Sequence, residues 1–516
     1  MKPFLLHFAG FLILHGTAVG QPGFSKWFDF GLAANFHNIV LKEDTLFIAG
    51  TAKDPATSQW GALFVKMDTN GVIADYRLHL DSTGGQFAFD QGYPFLSTSD
   101  GGFLLAGKVF NRDSYFLYKL HANGEVEFFK EYFRPLDILS VLPQQAFELQ
   151  DGYLIVTSAL LQNGLRDIQV TKVNDAGEML WEQLYGEYSK AETVGSIWQE
   201  DDNTIVLGAS KTTDQHVNFP APLKCGSSWI FAIDSLGAPK WEWQSAPCEG
   251  NIVRGLHRTG DGGWIYATRD FQAFNAANWG AAPTFVKRDS LFNLLWERRV
   301  ADSYWDSNEM LSLAPTPDGN WVGAGLWLLP EPYNSMLPGY FYAPGCLYKV
   351  NEQGDSLWAR CDTVALDNPT WSHRYGGVAV LPSGSIVAAG GFDEEIFGVG
   401  NKSWVWVTKV DGQGCLQAPC GPVSAQEELP SEAGYCRVYP NPAREEVNFE
   451  RPRKYAGAAA LIMVSDATGQ SVWQHQLGSQ DLKAAWQAQN QPAGVYFYRI
   501  VYADGATYGG KVILQQ

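Results

Sequence analysis

Short apolar runs alternate with tight polar turns along most of this chain, from about residue 24 to residue 420. The pattern returns seven times: a turn of the Asp-Gly-Gly type, an apolar run ending in Ala-Gly, a variable stretch, an apolar run ending in Lys, a second turn, and a run with Trp or Phe. Runs of this length predict β-strands, about four in each repeat of roughly 50 to 60 residues. Because one four-stranded sheet cannot bury both faces alone, the repeats predict an all-β chain with a seven-bladed β-propeller.

Two landmarks recur in the third strand of each repeat and in the turn after it. The third strand carries Lys66, Lys119, Lys172, Lys287, Lys349 and Lys409, with Ala232 in the fourth repeat. We expect the stems of these lysines to lie along apolar surface and their ammonium groups to reach solvent. The following turn has Gly in six repeats. The fifth has Phe292-Asn293 instead, and Asn293 is expected to take the left-handed conformation there.

The seventh repeat lacks its fourth strand, and a matching strand stands at the other end of the chain. The segment from Lys26 to Phe30 has the aromatic pattern of a fourth strand, yet no other strands of a repeat precede it. Residues 24–30 are therefore expected to complete the last blade, which would remove two unpaired sheet edges. With this closure the predicted propeller covers residues 21–420.

The chain changes character after residue 420. Residues 421–433 are polar, contain two prolines and show no alternation, which is typical of a linker. Alternation returns in residues 434–516 and predicts about seven short strands, hence a small C-terminal β-sandwich.

Residues 1–20 have the layout of a secretory signal peptide, because Lys2 precedes an apolar run from Phe4 to Leu14 and small residues follow it. The run is too short to cross a bilayer, and the sequence predicts no transmembrane segment. The net charge is −18, and residues 21–434 hold 28 basic against 49 acidic residues. This acidity argues against nucleic acid as a partner.

Seven cysteines fit an exported protein in an oxidising environment. Two pairs flank tight turns symmetrically and a third lies in a short loop, so three disulfides are predicted: Cys225 with Cys248, Cys346 with Cys361, and Cys415 with Cys420. Cys436 is left over, or is the alternative partner of Cys420. No Cys-x-x-Cys pair has zinc spacing, and neither a metal nor a cofactor is predicted.

The tail carries short motifs in a distinctive order. They are Val438-Tyr439-Pro440-Asn441-Pro442-Ala443, Asp466-Ala467-Thr468-Gly469-Gln470, Pro492-Ala493-Gly494-Val495-Tyr496-Phe497 and the closing Gly510-Lys511-Val512. In order, spacing and terminal position they closely resemble the type A C-terminal sorting domain of type IX secretion substrates from Bacteroidota. Cys436, just before the first motif, departs from that pattern.

The resemblance implies a route and a set of partners. It implies export to the periplasm, recognition of residues 434–516 by the type IX translocon and sorting machinery, and display on surface lipopolysaccharide or release into the medium. The repeats of residues 21–420 likewise resemble those of secreted proteins from the same bacteria. That second resemblance implies a fold and no activity.

Both short turns of each repeat would fall on one face of a propeller, and the longer connections on the other, here called the long-loop face. The longest connections run from about Ser210 to Ser228, Arg269 to Pro283 and Trp327 to Gly345. Aromatic residues expected on this face are candidates for stacking on sugar rings: Trp279, Trp305, Trp327, Tyr333, Tyr340, Tyr342 and Trp371. The alternative is that they pack the loops onto the sheet edges.

No catalytic motif of a known mechanism is present. Asp302, Asp306 and His373 are expected in neighbouring loops near the ring axis, where two carboxylates and a histidine could do acid–base work. Ordinary loop residues are the simpler interpretation of these three. Three functions stay open: a binding or adhesion module for a glycan or protein, a secreted polysaccharide hydrolase or lyase, and a passive surface protein. The binding module is favoured.

Overall fold

Strands and tight turns make up the regular structure of the residues that the structure describes. The structure, a computed structural model, describes residues 23–30, 33–89, 95–187, 189–201, 203–212, 226–247, 249–273, 279–300, 308–326, 344–364, 370–396, 400–416, 437–439, 443–450, 459–466, 470–478, 481, 483–503 and 507–515. It divides into two units, Met1–Gln426 and Glu427–Gln516.

The described residues of the first unit form seven antiparallel sheets, numbered here along the chain. Strand β1 (Phe24–Phe28) comes first. In order of pairing, sheet 1 is β2 (Ala34–Lys42), β3 (Thr45–Lys53), β4 (Trp60–Asp68) and β5 (Ile73–His79); sheet 2 is β6 (Phe87–Ala88) with β7 (Phe95–Ser97), then β8 (Phe103–Val109), β9 (Ser114–Leu120) and β10 (Val126–Phe133); sheet 3 is β11 (Ile138–Leu149), β12 (Gly152–Leu161), β13 (Arg166–Val173) and β14 (Met179–Tyr185); sheet 4 is β15 (Ala191–Asp201), β16 (Thr204–Thr212), β17 (Gly226–Ile233) and β18 (Pro239–Gln244).

The remaining three sheets repeat this plan. Sheet 5 is β19 (Arg254–Arg258), β20 (Trp264–Ala273), β21 (Trp279–Arg288) and β22 (Leu294–Arg299); sheet 6 is β23 (Glu309–Pro315), β24 (Trp321–Leu326), β25 (Gly345–Val350) and β26 (Ser356–Asp362); sheet 7 is β27 (Thr370–Val380), β28 (Ile386–Ile396), β29 (Gly400–Val410) and β1. The N-terminal strand thus pairs with the last strand of the unit, with Phe24 opposite Lys409 and Phe28 opposite Val405.

The first strands of neighbouring sheets contact one another in chain order, and β27 of sheet 7 contacts β2 of sheet 1. Apolar clusters fill the spaces between adjacent sheets. One of them combines Ile48 and Val65 of sheet 1 with Val387, Ala389 and Val407 of sheet 7. The core is therefore divided into layers between sheets, as expected when each sheet buries a face against the next.

Five of the six third-strand lysines are buried, which corrects the expectation that their ammonium groups reach solvent; Lys66 is half-buried. Four of them form ion pairs of 2.6–2.8 Å with an Asp in the turn between the first two strands of the same sheet: Lys119 with Asp100, Lys172 with Asp151, Lys287 with Asp261, and Lys349 with Asp318. A buried ammonium group needs such a partner because desolvation of an isolated charge is costly.

The same lysines also reach the next sheet. Lys172 Nζ donates to the carbonyl of Ser235 at 3.3 Å, and Lys349 Nζ donates to that of Gly412 at 3.2 Å. Lys409, whose own sheet has no Asp in the corresponding turn, donates to the carbonyl of Thr69 at 2.9 Å. Each acceptor lies in the turn that follows the third strand of the next sheet, so these three lysines link neighbouring sheets.

The partner carboxylates are strongly favoured in their charged form. Hydrogen bonds from Lys287 and Thr259 hold the pKa of Asp261 well below its usual range. At Asp318 partial burial opposes ionisation, but hydrogen bonds from Lys349 and Thr316 lower the pKa to about 2. These ion pairs therefore persist to low pH.

In five of the seven sheets, an aromatic ring of the fourth strand packs on the turn glycine of the next sheet. A Cβ added to the glycine would lie within 3.1 Å of the ring in five cases: Gly71 with Phe24, Gly177 with Phe128, Gly237 with Trp181, Gly354 with Trp296, and Gly414 with Trp358. The glycines have φ between +73° and +87°. Glycine is thus required both for the backbone conformation and for the close approach of the ring.

The fifth sheet departs from this rule, but through Phe292 rather than Asn293 as the sequence suggested. Phe292 has φ +63°. Its ring stacks on Trp243 of sheet 4, with centroids 5.1 Å apart and planes 11° apart. The side chain itself supplies the inter-sheet contact that glycine receives elsewhere, and this packing offsets the strain of the left-handed backbone.

The second unit contains two sheets in its described residues. One is β30 (Arg437–Tyr439), β31 (Glu446–Glu450) and β34 (Lys483–Gln487); the other is β33 (Ser471–Leu477), β32 (Ala460–Ser465), β35 (Gly494–Tyr502) and β36 (Thr507–Leu514). A single apolar cluster includes Phe449 and Trp486 of the first sheet and Ile462, Ile500 and Val512 of the second.

The predicted disulfide between Cys346 and Cys361 is present and joins facing residues of β25 and β26. Cys415 is also disulfide-bonded. Its predicted partner Cys420, the alternative Cys436, and the predicted pair Cys225 and Cys248 lie outside the described residues.

We expect Gly354→Ala to destabilise the first unit by about 2–4 kcal/mol, because it adds left-handed strain and a contact with Trp296. Gly319→Ala in the same sheet is the matched control. Gly319 also has a positive φ, but an added Cβ would meet nothing within 4 Å, so we expect a loss of only about 1–2 kcal/mol. Urea unfolding of the full chain measures both, and equal losses would contradict the role given to the ring contact.

We expect Lys349→Met to lower the free energy of unfolding by about 1–3 kcal/mol. The lysine is buried, whereas about half of the Asp318 side chain is exposed, so water compensates part of the loss. Lys66→Met is the control, because Lys66 occupies the same repeat position without an ion pair among the described residues, and its effect should stay near 0.5 kcal/mol. Equal effects in urea unfolding would show that the ion pair contributes nothing.

Candidate functional site

On the long-loop face, the structure describes mainly the ends of the strands. The predicted loop from Arg269 to Pro283 is largely strand, since β20 extends to Ala273 and β21 begins at Trp279. The backbone of Trp279 pairs with Ala273, and that of Trp371 pairs with Asp393 within sheet 7. The side chains of Trp279 and Trp371, and all of Trp305, Trp327, Tyr333, Tyr340 and Tyr342, lie outside the described residues.

His373 lies in the first strand of sheet 7 and not in a loop as expected. It is fully buried, and its ring stacks on Phe392 with centroids 5.3 Å apart. Its Nε2 accepts a hydrogen bond from the backbone N–H of Val364 at 3.0 Å. A solvent-borne substrate has no access to this ring, which supports the simpler structural interpretation of His373. The other two acid–base candidates, Asp302 and Asp306, lie outside the described residues.

A buried ionic cluster lies at the roots of two loops on this face. Glu309, the first residue of β23, accepts from Arg254 Nε at 2.7 Å and also pairs with Arg269. Burial opposes ionisation of Glu309, but the two guanidinium groups outweigh it and lower its pKa. Charge-assisted contacts of this kind join the first strands of sheets 5 and 6 with the end of β20.

This cluster lies beside two of the connections that carry candidate residues. Residues 301–307, which include three of the candidates, directly precede the sheet-6 strand that begins with Glu309. The connection after Arg269 leads to Trp279. The disulfide of Cys346 stands at the root of the third long connection. All three connections therefore start from strand ends that side-chain contacts hold in place.

Sequence reasoning missed Arg254, Arg269 and Glu309. The available signal was a charged residue at the start of an otherwise apolar strand, as in Glu309-Met310-Leu311. Such a residue must find a buried partner. The partners come from another repeat about 40 to 55 residues earlier, and no local pattern identifies them.

The second unit presents its sorting motifs on paired strands. Ala443, the last residue of the Tyr-Pro-Asn-Pro-Ala motif, donates its N–H to the Ile513 carbonyl and accepts from the Gln515 N–H, both at 2.8 Å. The start and the end of the unit are thereby held together. Tyr439 pairs with Asn448 through the backbone, while Pro440, Asn441 and Pro442 lie outside the described residues.

Three residues of the other motifs, Gly494, Tyr496 and Lys511, lie on the last two strands, β35 and β36. Gly494 opens β35 opposite Leu514. Tyr496 is buried, packs edge-on against Trp486 and donates its hydroxyl to the Pro492 carbonyl at 2.8 Å. Lys511 is exposed on the last strand. This arrangement keeps the aromatic residue in the core and the lysine at the surface of the unit.

Residues 437–515 match the family model described as a secretion system C-terminal sorting domain. The chain therefore carries a type IX sorting C-terminus, which implies interaction with the type IX secretion machinery. Its location follows: the protein is exported across the outer membrane to the cell surface or the medium.

Solved structures similar to this chain include proteins with a β-propeller. The match to a crystal structure of puromycin hydrolase has 12% identity and a TM-score of 0.43, and spans 81% of this chain but only 58% of that one. The β-propeller domain of the Trilobed protease from Pyrococcus furiosus has 11% identity and a TM-score of 0.36, with 72% and 97% covered. The α-L-arabinofuranosidase arb93a from Fusarium graminearum has 13% identity and a TM-score of 0.37, with 63% and 96% covered. Likenesses this remote carry no argument about activity.

No curated protein matches the chain. Within the described ranges, the chain has no helix that is long and apolar enough to span a membrane. The same ranges contain no group of three or more His, Cys, Asp or Glu side chains placed to hold a metal ion.

Proposed function

We propose that this protein is a type IX secretion cargo from a member of the Bacteroidota, whose first unit is a seven-bladed β-propeller that binds carbohydrate at or outside the cell surface. Residues 1–20 act as the signal peptide, and residues 434–516 form a sandwich-type sorting domain. The sorting machinery either attaches the cargo to surface lipopolysaccharide or releases it.

The propeller part of this proposal is supported by the seven sheets and by the contact of β27 with β2. The pairing of β1 with β29 joins both ends of the unit in one sheet. A ring closed in this way resists opening, because the N-terminal strand must leave before the first and last sheets can separate.

The binding part rests on one observation: the long-loop face has fixed roots. The Arg254–Glu309–Arg269 cluster and the Cys346–Cys361 disulfide hold the strand ends from which the connections with the aromatic candidates begin. Loops on a rigid frame are where binding residues are usually found. Aromatic rings at such positions offer flat apolar faces to sugar rings with little loss of side-chain entropy on binding.

The charge of the unit narrows the ligand class. Residues 21–434 carry 49 acidic against 28 basic residues. Long-range repulsion disfavours polyanions such as sulfated or uronic acid polymers. We therefore propose a neutral glycan as the ligand.

Deletion of residues 437–515 should stop export across the outer membrane, because the sorting machinery loses its recognition element. The full chain is expected on the surface or in the medium, and the truncated chain in the periplasm. Fractionation with detection by antibody measures this. Gly260→Ala in the first unit is the control, since an added Cβ there meets nothing within 4 Å. Normal export of the truncated chain would refute the sorting assignment.

Replacement of Trp279 or Trp327 by Ala should weaken glycan binding about 5- to 20-fold, which corresponds to about 1–2 kcal/mol for one stacked ring. Calorimetry of the purified full chain against a panel of neutral and acidic polysaccharides measures this. Trp27→Ala is the matched control, because Trp27 is an exposed tryptophan on the outer strand β1.

Three results would contradict the carbohydrate proposal. Preference for acidic polymers would refute the ligand class. Equal loss in Trp27→Ala would refute the assigned face. Release of reducing ends from any polysaccharide would show a hydrolase or lyase instead of a binding module.

A further inference from the structure

Two carboxyl groups from different sheets meet on the long-loop side of the first unit, above Gly186. Asp167 is the second residue of β13 in sheet 3, and Glu192 is the second residue of β15 in sheet 4. The two strands contact each other. Gly186 directly follows β14, the strand paired with β13.

The distances show that both carboxyl groups face one point. A Cβ built on Gly186 would lie 2.7 Å from Asp167 Oδ1 and 3.0 Å from Glu192 Oε2. The two oxygens are therefore no more than 5.7 Å apart, the sum of these distances. Any other residue at position 186 would fill the space that the two oxygens share.

Both of these oxygens are buried without a hydrogen-bond donor among the described residues. Glu192 is fully buried, and its other oxygen accepts from the Glu187 N–H at 3.1 Å. A buried carboxylate oxygen without a partner costs folding free energy. Two of them facing the same point indicate a positively charged ligand at that point.

The nearby cations are committed elsewhere. Lys211 Nζ pairs with Glu187 at 3.0 Å and Glu242 at 3.6 Å, and lies 3.8 Å from the centre of the Trp229 ring. Lys190 pairs with Glu187 at 2.8 Å. Around Asp167 and Glu192 there are thus more carboxylate groups than ammonium groups.

Protons compete with a cation for the same two carboxyl groups. Burial raises the pKa of Glu192 to about 7, and the charge of Asp167 adds to this while Lys211 opposes it. Burial also raises the pKa of Asp167. Without a cation, ionising both groups side by side is unfavourable.

We propose that Asp167 and Glu192 bind a divalent cation of the Ca²⁺ type above Gly186, linking sheets 3 and 4. Ca²⁺ takes six to eight oxygen ligands at about 2.3–2.6 Å, so backbone carbonyls and water complete the shell around two carboxylates. With only two charged ligands the site resembles weak extracellular sites, which bind at about 10⁻⁴ to 10⁻³ M. Such affinity suits a protein that is exported from the cell.

The test is calorimetric titration of CaCl₂ into the metal-free full chain at pH 8 and pH 6. We expect one site at pH 8 and at least fivefold weaker binding at pH 6, because a proton on Glu192 competes with the cation. Thermal unfolding should shift upward by about 1–3 °C at ten times the Kd. MgCl₂ should bind more weakly, because Mg²⁺ loses its hydration water reluctantly.

Glu192→Gln, Asp167→Asn and Gly186→Ala should each reduce Ca²⁺ affinity at least tenfold. The two amide variants keep the side-chain shape and remove charge, so their melting temperature without Ca²⁺ should equal or exceed that of the unmodified chain. Gly260→Ala and Asp137→Asn, the latter at an exposed residue of the same face, are controls that should bind normally.

Each result of these titrations either supports or overturns the proposed site. Loss of binding in the three variants with folded controls supports the site. Unchanged affinity in Glu192→Gln overturns it. If the melting temperature falls between pH 6 and pH 8 and Ca²⁺ does not restore it, the pair shares a proton and binds no cation, which also overturns the proposal.

Discussion

The contact between neighbouring sheets on the short-turn side is the constraint on which the first unit depends. Between most neighbouring sheets, an aromatic ring of the fourth strand lies on a turn of the next sheet, and a third-strand lysine such as Lys172 or Lys349 donates to a carbonyl of that same turn. Because Lys172 and Lys349 also pair with an Asp in the first turn of their own sheet, each of them joins one turn of its own sheet to one turn of the next sheet. A sheet that loses this contact loses apolar burial and a hydrogen-bond acceptor for a buried ammonium group together.

Fixing one side of the sheets leaves the other side free to vary. The connections on the long-loop face differ in length and composition, and side-chain contacts such as Arg254 with Glu309 hold the strand ends from which they start. The proposed cation site between Asp167 and Glu192 belongs to the same pattern, since it would join two sheets at their loop ends. The loop sequences can therefore vary without weakening the sheets that carry them.

The second unit is organised separately from the first. It has its own core, centred on residues such as Phe449 and Trp486, and its terminal residues are held by the pairing of Ala443 with the last strand. A module whose start and end are paired in this way can be recognised as one element whatever cargo precedes it. Tyr496 lies in its core while Lys511 is exposed, so one motif residue supports the fold and another lies at the surface.

The sequence by itself determined the strand repeats, the turns with positive φ, the pairing of Cys346 with Cys361 and the sorting motifs, because each depends on residues close together in the chain or on a fixed period. Only the tertiary structure decided which charges meet. Five of the six third-strand lysines proved buried, because aspartate or carbonyl partners for them lie in turns of the same or the next sheet. His373 proved to be a core residue, and Phe292 took the left-handed position because Trp243 of another sheet supports it. Contacts across sheets join residues tens of positions apart, and the local sequence pattern does not identify such partners.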